Sequence, residues 1–355
     1  MLAEIEYQGF RNLSDERVSF EKDFNLVIGE NAAGKTNFLE AIFYAAFASS
    51  FRTSDERNLI RFNDNHLRVS ASSNDKSASV FYDGEKRLTL DGNIKQRLGD
   101  YIGWLLVTVL SLEDIWLLRS APVRRRAFLD WLIAKLTPSY LTSLTEYRKI
   151  LKQRNRALLM VKENGDYRLL DVYDERLVTF GNELYQERKK NMPELSENVN
   201  RFGDELGLKH LALSYLSTCP DMNLTLCLLK NIRSGEIRWG ETTIGPHRDD
   251  LVFYTGDHPL KGYGSEGEER SAVIALKLAE AEMIYDRTKK QPVLLLDEIA
   301  AELDSKKKET FFHLIMALNN REQRQVFYAS TQDPDFIDTT RLKKFTVKGG
   351  LIEVS

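Results

Sequence analysis

The segment Gly29-Glu30-Asn31-Ala32-Ala33-Gly34-Lys35-Thr36 constrains this chain more than any other part of it. It satisfies G-x-x-x-x-G-K-[ST] at every fixed position. An apolar run of strand length, Phe24–Ile28, precedes it. Helical spacing follows over residues 35–48, where Phe38, Leu39, Ile42, Phe43 and Ala46 share a face. A glycine loop between strand and helix turns backbone N–H groups inward and adds the partial positive charge of a helix N-terminus, which together suit a polyphosphate. Lys35 is placed to reach the β- and γ-phosphates of ATP and Thr36 to ligate Mg²⁺. The expected contact set is Gly29, Glu30, Asn31, Ala32, Ala33, Gly34, Lys35, Thr36 and Asn37.

A second motif completes the chemistry. Pro292 opens the apolar run Val293, Leu294, Leu295, Leu296, which ends in Asp297 and Glu298. A continuous apolar run is the pattern of a strand covered on both faces, and ligands of open α/β sheets gather at the carboxyl ends of such strands. Asp297 is therefore expected to hold Mg²⁺ with Thr36, and Glu298 to orient or deprotonate the attacking water. Lys35, Asp297 and Glu298 form the expected catalytic set.

The rest of the chain changes texture twice. Residues 67–72, 78–82 and 87–90 read as a small antiparallel sheet, with Asp83-Gly84 and Asp91-Gly92 as turns. Residues 112–208 are almost entirely helical in pattern, with Pro122, Pro138 and Pro193 as helix starts and Asn164-Gly165-Asp166 as a turn. Alternation returns with a strand over 293–296, a helix over 306–318, a strand over 325–329 and a hairpin over 347–354 turning at Gly349-Gly350. The expected organisation is an α/β ATPase head, residues 1–111 and 236–355, interrupted by a helical insertion, residues 112–235. No sustained heptad run predicts a long coiled coil.

Composition narrows the class. Of 355 residues, 42% are hydrophobic and 29% charged, with a net charge of −3, so any DNA contact has to come from a local basic patch. Two such patches present themselves: Arg119 with Arg124, Arg125 and Arg126, and Arg148, Lys149, Lys152, Arg154 and Arg156. They fit phosphate contact without base readout, with solvated helix faces as the alternative. Cys219 and Cys227 lack metal or redox spacing and read as reduced core thiols. His247, Asp249 and Asp250 fit no metal motif and read as a loop or dimer contact. The start of the chain is strand-like rather than a signal peptide, and the apolar run near Trp104 is too short for a bilayer, so a cytoplasmic location is expected.

Further segments carry a resemblance to ABC/SMC-type P-loop ATPases. Ser265-Glu266-Gly267-Glu268-Glu269-Arg270 resembles their S-x-G-x-x-R/Q signature, though more acidic than the glutamine-rich form. Ala301-Glu302-Leu303-Asp304 resembles the D-loop. Ser330-Thr331-Gln332 stands where transporter ATPases carry a switch histidine. Within the class, the chain is similar throughout its length to the RecF family of bacterial DNA replication and repair proteins. Tyr7-Gln8-Gly9-Phe10-Arg11-Asn12-Leu13, Ser50-Phe51-Arg52-Thr53, Leu112-Glu113-Asp114, Arg124-Arg125-Arg126-Ala127-Phe128-Leu129-Asp130 and Gly245-Pro246-His247-Arg248-Asp249-Asp250-Leu251 carry that likeness.

The resemblance implies that Ser265 and Gly267, with Asp304, contact ATP held by a second subunit, so that ATP drives a homodimer. It implies a DNA-stimulated, weak ATPase that binds gapped or junction DNA and helps load RecA with RecO and RecR, with no membrane partner. It also offers Arg52 as a contact to the base or ribose, against a plain surface arginine. No Q-loop glutamine can be placed near residue 112. The competing readings are an SMC-like chromosome organiser, disfavoured because the segment between Thr36 and Ser265 reads as globular, and a transporter-type ATPase subunit.

Overall fold

The computed structural model describes the whole chain except residues 21–23, 74, 300–302, 323, 334–341 and 355. Its chain order begins with β1 (Leu2–Gln8), β2 (Glu16–Ser19), β3 (Phe24–Ile28), α1 (Lys35–Phe47), β4 (Leu67–Ser73), β5 (Ser77–Tyr82), β6 (Lys86–Leu90), β7 (Asn93–Lys95) and β8 (Val107–Ser111). Then come α2 (Pro122–Leu136), α3 (Tyr140–Asn164), α4 (Arg168–Glu205), β9 (Leu211–Leu216), α5 (Leu226–Trp239), β10 (Asp250–Thr255), β11 (His258–Pro259) and α6 (Glu266–Thr288). The chain closes with β12 (Val293–Asp297), α7 (Ser305–Glu322), β13 (Val326–Ser330), β14 (Leu342–Lys348) and β15 (Leu351–Val354). Two compact units result: Met1–Asp114 with Lys277–Ser355, and Ile115–Leu276.

The first unit is layered. One six-stranded sheet, in the order β2-β1-β4-β5-β6-β7, is antiparallel throughout. The other, β15-β14-β3-β13-β12-β8, is parallel except for the terminal β14–β15 hairpin. Helix α1 packs against β4 and β5 of one sheet and β12 and β13 of the other. Covered from both sides, it buries Phe38, Leu39, Ala41, Ile42, Phe43, Tyr44, Ala45, Ala46 and Phe47 rather than a single stripe. The one-face periodicity was thus the visible part of a fully enclosed helix. Phe38 meets Tyr7, Phe20 and Phe345, and Phe20 also meets Phe327 edge-on. Each such ring contributes about 1.5–3 kcal/mol by burial, which fixes the helix that carries Lys35 and Thr36.

The second unit is mainly helical. Helices α3 and α4 form a hairpin closed by Gly165 in the left-handed conformation, φ 71°. Pro193 does not start a helix. It lies inside α4, whose buried face runs through it as Tyr185, Arg188, Met192, Leu195 and Val199. Tertiary packing here outweighs the local cost of a proline. Residues 236–276, read from sequence as part of the head, cluster with this unit. The reason is pairing: β10 runs antiparallel to β9 from Asp250↔Leu216 to Thr255↔Leu211, an interaction between segments far apart in sequence. Cys219 is buried, whereas Cys227, near the start of α5, is exposed rather than in the core. Among the described residues, no helix is long and apolar enough to cross a membrane.

Candidate functional site

The register of the parallel sheet gathers the site. Ser330 aligns with Ile28, Ala329 with Asp297, and Asp297 with Ser111. The carboxyl ends of β3, β13, β12 and β8 therefore lie side by side, and the loops leaving them converge.

The loop after β3 has the backbone its sequence demands. Ala32 and Gly34 both have positive φ, 64° and 118°. A Cβ on Gly34 would lie 3.1 Å from Asn12 Oδ1 and 3.2 Å from Leu13 Cδ2, so a side chain there would be strained by the conformation and would crowd Asn12 and Leu13. The Lys35 ammonium is buried inside the loop, 2.9 Å from the Gly29 carbonyl, 3.0 Å from that of Glu30 and 3.1 Å from the Glu298 carboxylate. Thr36 Oγ1 stands 2.9 Å from each oxygen of Asp297. Burial pushes the Asp297 carboxyl up to about 6; the Thr36 hydroxyl opposes that shift and the neighbouring Glu298 charge adds to it. Glu298 turns away from the strand at φ 53° and donates its N–H to Ala329 O at 3.1 Å. Thr36, Asp297 and Glu298 line a cavity of about 200 Å³ together with Phe51, Arg52, Ser111, Leu112 and Glu113. Three acidic groups, two hydroxyls and an arginine share this space, an all-oxygen donor set beside one cation.

One member of the site was offered by resemblance alone, and others were not legible as such. Arg52 sits on the Asp297 side of the loop, donating to Asn37 Oδ1 at 2.8 Å and facing Glu40 at 3.4 Å. Arg11 binds Glu40 through two hydrogen bonds of 2.9 and 3.0 Å. Asn12 joins the loop to its helix: it donates to Ala32 O at 3.2 Å and accepts from Asn37 at 2.7 Å. In the sequence, Arg11 and Asn12 carry only the family likeness, with no chemistry of their own to mark them. Ser111 ends β8 and Glu113 follows it; both line the cavity, near residue 112 where no glutamine could be placed.

The remaining expected residues separate. Asp304 caps α7, accepting from Lys307 N at 2.9 Å, while Ala301 and Glu302 of the same motif lie outside the described residues. Ser265 and Gly267 belong to the second unit, where Ser265 opens α6. Four of the nine residues in the basic patches lie in ion pairs. Arg125 binds Asp250 at 2.7 Å, Arg119 binds Glu269 at 2.7 Å, Arg148 meets Asp130 at 3.0 Å, and Arg154 is wholly buried against Asp174 at 2.6 Å. Arg126 donates to the Asp249 carbonyl at 2.8 Å. Arg124, Lys149, Lys152 and Arg156 are exposed, and the last three fall at i, i+3 and i+7 on α3. The Gly245–Asp250 run is tied into its unit by hydrogen bonds. His247 bridges the Tyr147 hydroxyl at 2.7 Å and the Thr242 carbonyl at 3.1 Å. Asp249 accepts from Thr218 N at 2.7 Å and from Tyr215.

Comparison with known proteins gives the family. The RecF/RecN/SMC N-terminal domain family matches residues 1–352. The chain is 34% identical to the DNA replication and repair protein RecF of Bacillus cytotoxicus, over 99% of this chain and 98% of that one. This chain belongs to the RecF family. A RecF of Bacillus thuringiensis is 33% identical over 97% of this chain and 95% of its own. Among solved structures, the recombination mediator protein RecF with ATP, of the RecFOR pathway, superposes with a TM-score of 0.90 at 29% identity, covering 100% of this chain and 97% of that one. An Smc head bound to the C-terminal winged-helix domain of ScpA aligns with a TM-score of 0.57 at 16% identity, a likeness of fold alone. The RecF family thus shares its head architecture with Smc heads, as the α/β ABC/SMC-type expectation had it.

Proposed function

We propose that this RecF-family chain is an ATP-dependent DNA-binding protein of replication and recombinational repair. The observation that carries the reading is the placement of Lys35 inside a left-handed loop with Thr36, Asp297 and Glu298 against it. The loop's backbone N–H groups and Lys35 bind the β- and γ-phosphates of ATP. The residues fit Mg²⁺: Thr36 and Asp297 supply oxygen ligands at one spot, and this ion commonly takes one or two protein groups with phosphate and water. When bound, Mg²⁺ neutralises charge on the phosphate oxygens. Glu298 holds the attacking water and accepts its proton, and Arg52 brings positive charge to the same cavity.

Ser265 and Gly267, with Asp304, complete the site of a second copy, so ATP drives a homodimer. That dimer brings two copies of the Lys149, Lys152 and Arg156 stripe to one DNA, at a gap or a single-strand to double-strand junction. There it works with RecO and RecR to load RecA. The relatives' names and the RecFOR context of the ATP-bound neighbour support this reading.

Two variants test it. Lys35→Ala removes the charge inside the loop, so affinity for a fluorescent ATP analogue should fall at least ten-fold, about 1.4 kcal/mol or more. Glu298→Gln keeps the shape and removes the base, so hydrolysis should fall at least a hundred-fold while ATP binding and dimerisation persist. Light scattering with ATP and Mg²⁺ reads the dimer. Unchanged affinity in Lys35→Ala, or a Glu298→Gln protein that stays monomeric at saturating ATP, overturns the assignment.

A further inference from the structure

The first turn of α6 contains three acids, Glu266, Glu268 and Glu269, at the point where the proposed function brings in a nucleotide's terminal phosphate. Two of them are occupied by arginines. Arg119 lies 2.7 Å from Glu269 and 3.5 Å from Glu266, and Arg270 lies 2.9 Å from Glu266. Glu268 turns back to Ser265. Its Oε2 accepts from Ser265 N at 2.7 Å and from Ser265 Oγ at 2.8 Å, while its own N–H donates to Ser265 Oγ at 3.3 Å. This is a reciprocal capping box.

The chemistry of that contact matches the contact that ATP would make. A γ-phosphate approaching Ser265 is an anionic oxygen acceptor seeking the same hydroxyl proton and a nearby N–H. Glu268 already offers an anionic oxygen to both donors, and its charge repels the phosphate. Two acceptors cannot share the single Ser265 hydroxyl proton.

We propose that Glu268 competes with the γ-phosphate of the partner's ATP for Ser265, and so sets the strength of the ATP-driven dimer. The proposal rests on the composite-site reading above and makes it specific to this chain. Glu268 acts through Ser265 and is a positioning residue. Engaging ATP in trans requires its carboxylate to swing off the Ser265 donors, at the expense of the cap. A glutamine at this position keeps the length and an acceptor oxygen but removes the repulsion.

The test compares Glu298→Gln with Glu298→Gln/Glu268→Gln, a background that does not consume ATP. Sedimentation velocity across a range of chain concentrations, at saturating ATP and Mg²⁺, gives the dimer dissociation constant of each. The double variant should dimerise at least on the order of ten-fold more tightly, as expected for removing a like-charge contact within a few ångströms at each of the dimer's two sites. The gap should narrow as salt is raised, because screening weakens the repulsion in the parent alone. ATP affinity of the monomer should not change, since Ser265 serves the neighbour's site. Helical content by circular dichroism checks that α6 is intact, and Glu268→Ala in the same background should also tighten the dimer if charge is the cause. Equal or weaker dimerisation in the glutamine variant overturns the proposal and leaves the composite site standing. No ATP-driven dimer in either protein removes the composite site and this proposal with it.

Discussion

Arg154 stands in a run of basic residues, Arg148, Lys149, Lys152, Arg154 and Arg156, that reads equally as a DNA-binding face. The structure gives it a different task. Its side chain is 0% exposed, paired with Asp174 at 2.6 Å and Glu236 at 2.7 Å, both 1% exposed. It also donates to Thr242 Oγ1 at 2.7 Å. Replacing Arg154 with alanine leaves two buried carboxylates without this partner, and removing one member of a buried ion pair costs about 3–5 kcal/mol. The loss should fall at the lower end. Arg233 stays beside Asp174, and Glu236 keeps the Thr243 N–H at 2.6 Å. At about 2–4 °C per kcal/mol for a unit of this size, Tm should fall by roughly 10 °C.

Thermal unfolding by circular dichroism, beside anisotropy of a labelled gapped duplex below the transition, separates stability from binding. Arg154→Ala should lose stability and keep its DNA affinity while folded. Replacing Arg154, Asp174 and Glu236 together with apolar residues of similar volume should recover much of the loss, because no buried charge remains. An Arg154→Ala protein with unchanged Tm and weakened DNA binding would refute the burial argument and return Arg154 to the DNA face.

Further expectations follow from other groups. Charge reversal at Lys149, Lys152 and Arg156 should leave Tm within about 1–2 °C, because the three are exposed. It should also cut ATP-dependent DNA affinity and reduce the slope of log affinity against log salt, by about one unit per lost phosphate contact; an unchanged slope would place the DNA elsewhere. Burial, reinforced by the nearby Arg248 and Arg126 charges, lowers the His247 imidazole to about 4 against the opposing hydrogen bond to the Thr242 carbonyl. The unfolded chain therefore binds the proton first, and stability should be full above pH 6.5 and fall as pH drops towards 4. The loss reaches about 3 kcal/mol at its limit. Urea titrations between pH 7.5 and 4.5 should show a shallower decline in His247→Gln, and parallel curves would assign the acid sensitivity to other groups.

What the sequence determined by itself was everything carried by local chemistry. The phosphate loop was legible because glycine, lysine and threonine at fixed spacing specify one backbone shape, and Gly34 at φ 118° is the residue that shape requires. The acidic strand end was legible because a strand covered on both faces must be continuously apolar until it meets the ligand edge, as Val293–Asp297 does. The Gly349-Gly350 turn and the hairpins at Gly84 and Gly92 were legible for the same local reason.

Tertiary structure alone decided which charges were free. Arginines look alike in sequence, yet Arg148 is exposed while Arg154 and Arg188 are buried, because their partners Asp130, Asp174 and Glu236 lie on other elements. It also decided where the second unit ends, since the β9–β10 pairing joins residues that no local pattern relates. Pro193 stays inside α4 for a like reason: the packing that overrides its local preference comes from chain that is distant in sequence. Local rules fix the shape of a loop or a turn. Burial and pairing depend on long-range contacts, and those exist only once the chain has folded.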